Sequence, residues 1–288
     1  MLATASAAPV EWTMNSCHVP FSDKLIARSG YDRAGFARTY DRFRPRPPDT
    51  LLETLLQVAG IQRAALVVDL GSGTGLSTRA WTEHAERVVG IEPNLAMLDE
   101  AQAATKAENV EYRLAFAYDT GLDDGRADLV TCSQSFHWME PEPTLAEAAR
   151  VLRRGGVFAA YDYDVVPVCD WHAEEAFREL LRRRHAFRRA RGTYSGADRW
   201  PKDTHLERIE ASGRFRYTRE IVLQSVETDG GAERLVGLAH SIGLPVRDGE
   251  EEIERELGYR SFETAVRDAL GDRVLPFRFG YRARIGIV

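Results

Sequence analysis

The sequence predicts an α/β protein built on a parallel sheet, on three observations. Short apolar runs alternate with amphipathic helical segments between residues 51 and 163. One of those runs, "AALVVDL", carries an acid next to its end and is followed at once by the glycine-rich turn "GSGTG". That run is a short apolar one rather than an alternating one, which suits a strand covered on both faces. Strands separated by helices require crossover connections, and those connections place the strands parallel.

The elements follow in order. Residues 1–30 show no clear period, and the basic, aromatic "YDRAGFARTYDRFRPRPPDT" after them ends in a run of prolines that breaks any helix. Leu51, Leu52, Leu55, Leu56 and Ala59 then share one helical face. "AALVVDL" is a strand, with a helix from about Gly75, followed by the strand "RVVGIE" and the helix "NLAMLDEAQAAT". "NVEYRLAFA" and "ADLVTCSQ" are further strands; "PTLAEAARVL" has helical spacing, and "GGVFAAYDY" is a strand. Beyond Tyr163 the rhythm changes to the long charged helix "WHAEEAFRELLRRRHAFRRARG". "RFRYTREIVLQSV" and "VLPFRFGYRARIGIV" are strands, with helices predicted over "GGAERLVGLAHSIGL" and "EEEIERELGYRSFETAVRDAL" between them. The expected organisation is an entrance or lid segment at 1–50, a ligand-binding core at 51–164, a helical cap insertion at 165–212, and completion of the sheet by 213–288.

Composition narrows the function classes. Of 288 residues, 44% are hydrophobic and 28% charged, the balance of an ordinary globular protein. The formal net charge of −6 gives no global reason to expect nucleic acid or an anionic membrane as partner. No apolar run approaches the ~20 residues that span a bilayer, and the first residues lack a signal-peptide pattern. Cys17, Cys132 and Cys169 are widely spaced, which fits a reduced, cytoplasmic setting and offers no metal-ligand pattern. Six arginines between Arg182 and Arg191 are expected on the solvated face of a helix rather than on nucleic acid.

The glycine turn is the sharpest signal. A dinucleotide fingerprint needs G-x-G-x-x-G, but Leu76 stands at the third glycine position; a P-loop needs Gly-Lys-Ser/Thr, which is absent. What stands here is D-x-G-x-G-x-G, at Asp69, Gly71, Gly73 and Gly75. An acid so close would repel a pyrophosphate but suits an ammonium group. Glu92, at the carboxyl end of the next strand, can accept hydrogen bonds from a ribose diol. S-adenosylmethionine carries an amine and a ribose, and no phosphate.

"VVDLGSGTGLST", "VVGIEPNLAMLDEA", "ADLVTCSQSFHWM" and "EAARVLRRGGVFAAYD" together resemble class I S-adenosylmethionine-dependent methyltransferases. The likeness is greatest to the subgroup with ubiquinone/menaquinone-type and trans-aconitate-type enzymes (methyltransferase type 11), and covers residues 31–164 best. It implies a Rossmann-like, seven-stranded, mainly parallel sheet with an antiparallel last strand and helices on both faces. It also implies that Asp69, Gly71, Gly73 and Gly75 hold the methionine end of the cofactor and Glu92 the ribose. Pro93, Asn94 and Met97 then flank the adenosine, Ser133 meets the methionine moiety, and Tyr40 and Arg44 of "YDRFRP" reach the cofactor carboxylate. Phe116 stands where the family often has an acid, so stacking by Phe116 beside Ala117 is expected, with the adenine amino group left to Asp119 or water.

His137 is the candidate catalytic base, or else shapes the pocket wall with Trp138. Trp171, Tyr194 and Trp200 are expected to line an acceptor pocket under the cap, or to be core. The expected activity is methylation of a small molecule, in secondary metabolism. A nicotinamide oxidoreductase, disfavoured by Leu76 and Asp69, and a binding subunit without turnover are the competing classes.

Overall fold

The structure, a computed structural model, describes residues 35–190, 200–242 and 250–288. Its centre is one seven-stranded sheet in the order β3-β2-β1-β4-β5-β7-β6. The strands are β1 (Ala64–Leu70), β2 (Ala85–Glu92), β3 (Val110–Leu114), β4 (Ala127–Ser133), β5 (Leu152–Tyr163), β6 (Tyr217–Gly230) and β7 (Leu275–Ile287). The pairings among β1 to β5 are parallel, whereas β7 runs antiparallel to both neighbours. That last strand separates the fold from the 3-2-1-4-5-6 arrangement of dinucleotide-binding sheets.

Helices cover both faces, as the apolar strands require. On one face α2 (Asp49–Val58), α6 (Trp171–Ala190), α8 (Ala232–His240), α9 (Glu250–Leu257) and α10 (Tyr259–Leu270) share a single core with the sheet. The other face is covered by α5 (Pro141–Val151) and α7 (His205–Ala211), over a core that includes Leu70, Val130, Phe136 and Phe158. Leu51, Leu52, Leu55 and Leu56 are the buried stripe of α2, as their spacing predicts.

Three expectations are revised. The single helix predicted over 250–270 is two, because Gly258 takes a left-handed φ of 77° and caps the start of α10. The charged helix α6, expected in a cap, is part of the sheet-covering layer: Phe177, Leu180 and Phe187 are buried in the main core. Its arginines are not uniformly solvated either. Arg182 and Arg183 pair with Glu179 on the exposed side, but Arg184 is buried and donates to the Tyr259 hydroxyl.

Candidate active site

The site is assembled at the carboxyl ends of β1, β2 and β4, next to the entrance helix α1 (Phe36–Phe43). Here a cavity opens, walled by the glycine turn, the end of β2 and the segment after β4.

The glycine turn is shaped by protein neighbours as much as by a ligand. Ser135 donates to the Leu70 carbonyl at 2.7 Å and draws the segment after β4 onto the end of β1. A Cβ on Gly71 would therefore lie 2.7 Å from both Ser135 Cβ and Met139 Cε. Gly73, at φ 55°, lets the chain turn so that its N–H donates to Glu92 Oε2 at 2.9 Å. Gly75 caps α3 (Leu76–Ala80) at φ 77° and packs under the ring of Tyr112, away from the cavity wall. The expected contact of Gly75 with a cofactor gives way to this packing role.

The two carboxylates of the motif part company. Asp69 does not reach the cavity, which corrects its expected role on an ammonium group. Its oxygens accept from Thr78 at 2.8 Å and Thr131 at 3.0 Å, tying α3 and β4 to β1. Burial pushes its carboxyl up to about 6. Glu92 does line the cavity. Its two oxygens accept the N–H groups of Gly73 and Asn94, each at 2.9 Å, and each retains capacity for another donor. Burial raises its carboxyl to about 7.

Asn94 caps α4 (Leu95–Ala104): Oδ1 accepts from the N–H groups of Ala96 and Met97. That fixes the amide, and its buried Nδ2 has no partner among the described residues. Ser72 Oγ and Thr144 Oγ1 are likewise buried without partners, and all three residues line the cavity. Orphaned polar atoms around one cavity are what a polar ligand would satisfy.

Pro93, Met97, Phe116, Ala117, Ser133 and Trp138 also line it, as expected, and so do Tyr40 and Arg44. Phe116 stacks on Tyr118 with centroids 5.3 Å apart and planes 5° from parallel. Asp119 is exposed and off the wall. Leu76, the residue that breaks the dinucleotide fingerprint, supplies apolar wall instead.

Other expected site residues are not brought together. His137 is buried in the short helical turn Phe136–Trp138, and the wall there is formed by Trp138. Trp171 is 69% exposed and stacks on His172, far from any pocket-lining role. Trp200 lies under the Arg208 guanidinium and donates its backbone N–H to the His137 carbonyl at 2.8 Å, off the cavity wall. Tyr194 lies outside the described residues. Tyr118, Gln134, Thr144 and Tyr163 were missed. Only adjacency to Phe116 and Ser133 could have flagged the first two; Thr144 and Tyr163 arrive through tertiary packing.

α1 is anchored through its C-terminal turn. Asp41 accepts from Thr74 at 3.1 Å and pairs with Arg79, so it grips the glycine turn. Arg44 donates to the Tyr163 hydroxyl at 2.9 Å and the Ser241 carbonyl at 3.1 Å. Cofactor should therefore slow hydrogen exchange across residues 36–48, because α1 and the turn order together. Equal exchange with and without S-adenosylhomocysteine would return Tyr40 and Arg44 to structural roles.

A seven-stranded sheet with β7 reversed, a D-x-G-x-G-x-G turn and an acid closing β2 are features similar to those of class I S-adenosylmethionine-dependent methyltransferases. Comparisons agree. Residues 68–160 match the family described as a methyltransferase domain. An uncharacterised methyltransferase of Mycobacterium tuberculosis is 38% identical over 117 residues, 41% of this chain and 46% of its own. An uncharacterised methyltransferase of Schizosaccharomyces pombe is 31% identical over 121 residues, 42% of this chain and 47% of its own. The chain spans about half the length of the curated relatives it matches. Among solved structures, a candidate type II methyltransferase from Anaeromyxobacter dehalogenans superposes with TM-score 0.60 at 25% identity. That match covers 85% of this chain and 98% of the other. No helix among the described residues is long and apolar enough to cross a membrane.

Proposed function

We propose that this protein methylates a small organic acceptor with S-adenosylmethionine as donor. The observation that carries the reading is one cavity lined by Glu92 together with Asn94 and Ser72, whose Nδ2 and Oγ are orphaned, and walled further by Tyr40, Trp138 and Tyr163.

When bound, S-adenosylmethionine supplies an electrophilic methyl group on a sulfonium. The residues present fit it. Glu92 can take two hydroxyl donors, Asn94 Nδ2 and Ser72 Oγ offer polar contacts, and Leu76, Met97, Phe116 and Ala117 form an apolar slot suited to a purine. Pro45, Pro47, Trp138 and Tyr163 form the further wall, which we assign to the acceptor. Holding the two reactants together in a water-poor space can itself supply much of the acceleration.

Calorimetry tests the donor side: S-adenosylhomocysteine should bind saturably and NAD should not. Transfer of labelled methyl to a panel of small acceptors then separates an enzyme from a binding subunit without turnover. On this geometry His137→Gln should retain kcat within about tenfold on any acceptor turned over. A loss of about 10²–10⁴-fold, partly rescued at high pH, would instead make His137 a base.

A further inference from the structure

Gln134 is the sole non-glycine with a positive φ, 53°, among the described residues, a conformation that glutamine rarely adopts. It follows Ser133 at the end of β4 and lines the cavity. Its backbone N–H donates to the Tyr161 carbonyl at 2.9 Å, and its Nε2 donates to the Tyr163 carbonyl at 3.1 Å. Its Oε1 accepts from the Lys202 ammonium.

Those partners leave one orientation for the amide. An ammonium only donates, so the atom facing Lys202 must be the oxygen; a carbonyl only accepts, so the atom facing Tyr163 must be the nitrogen. Lys202 is itself held, 2.7 Å from Asp162 Oδ1. Asp162 Oδ2 accepts from the buried Arg284, whose Nε lies 2.9 Å from Glu220. This ionic chain crosses β5, β7 and β6 and ends on an atom of the cavity wall. The second hydrogen on Nε2 has no partner among the described residues.

We propose that Gln134 orients the methyl acceptor by donating that N–H to an oxygen of the acceptor, and that Lys202 and Asp162 are positioning residues that hold the amide for it. The proposal rests on the methyltransferase reading. The same cavity is walled by Tyr40, Pro45, Pro47, Trp138 and Tyr163, with Arg44 and Glu140 also on its lining. Aromatic and proline surfaces beside a fixed N–H donor favour a flat apolar molecule carrying a carbonyl or hydroxyl oxygen.

The test uses two probes of one shape, acetophenone and α-methylstyrene, which differ only in C=O against C=CH2. Dissociation constants are measured by NMR titration on full-length protein saturated with S-adenosylhomocysteine. Acetophenone should bind about threefold to tenfold tighter, the worth of one net hydrogen bond. Gln134→Gly, which suits the positive φ and so keeps the fold, should erase the preference. Lys202→Met should reduce it to within about twofold and Lys202→Arg should restore it, with S-adenosylhomocysteine affinity unchanged in all three variants. Equal binding of the probes, no binding of either, or a preference that survives Gln134→Gly overturns the proposal. A preference that survives Lys202→Met overturns the role of Lys202. Failure of S-adenosylhomocysteine itself to bind would instead defeat the methyltransferase reading.

Discussion

Glu92→Gln is expected to weaken S-adenosylhomocysteine binding by about 1.5–3 kcal/mol, the range for a hydrogen bond to a charged group. The substitution removes the charge and turns an NH2 toward one of the two backbone N–H donors, Gly73 or Asn94, that the carboxylate now accepts. A pH signature should accompany the loss. With burial holding the empty-site carboxyl at about 7, part of the protein carries a neutral Glu92 at neutral pH. A diol that donates to the carboxylate favours the ionised form, so affinity should fall as pH drops below about 7 and level off above it. Glu92→Gln should flatten that profile. The sign for folding is the reverse. A carboxyl raised from 4.5 to about 7 contributes stability fully present below 4.5 and lost as pH rises through about 7. Asp69, raised to about 6, acts in the same direction. Because Asp69 is spent on Thr78 and Thr131, Asp69→Asn should disturb stability more than affinity. Calorimetry from pH 5.5 to 8.5 checks both variants; unchanged affinity in a folded Glu92→Gln protein would remove Glu92 from the cofactor site.

Gly75→Ala should cost about 2–5 kcal/mol of stability. A left-handed φ costs an alanine about 1–2 kcal/mol. Overpacking adds about 1–3 kcal/mol, because the new methyl would collide with the Tyr112 hydroxyl and lie 2.8 Å from its Cζ. The ring cannot easily withdraw, since its hydroxyl is hydrogen-bonded to Thr105 at 2.8 Å and its face already covers Gly90. Tyr112→Leu should therefore relieve the packing share of the penalty and leave the backbone share. Denaturant unfolding of the two single variants and the double variant measures this coupling. Strict additivity would mean that Gly75 is required for its φ alone.

The run from Val67 to Ser77 shows what a local pattern conveys. A strand, an acid and three glycines announce a sharp turn beneath a ligand, and Leu76 excludes the dinucleotide version. The pattern does not distribute the labour among the three. Gly71 yields to Ser135 and Met139, and Gly75 to Tyr112, residues 37 to 68 positions away in sequence. Asp69 and Glu92 look equivalent as letters, each near the carboxyl end of a strand. Whether such a side chain points at a cavity or under a helix depends on what packs beside it, so one faces the ligand space and the other is sealed beneath α3.

What the sequence determined by itself was the element order, the parallel sheet and the carboxyl-end location of the site, because periodicity and turn chemistry act over a few residues. The seating of α6 in the main core was decided by tertiary packing. So was the far side of the cavity. Arg44 meets Tyr163 across 119 positions and Gln134 meets Lys202 across 68, contacts that exist only once the strands are ordered side by side. A local pattern can place a residue at a strand's end, but only the closed fold supplies the partner that fixes which of its atoms faces the cavity.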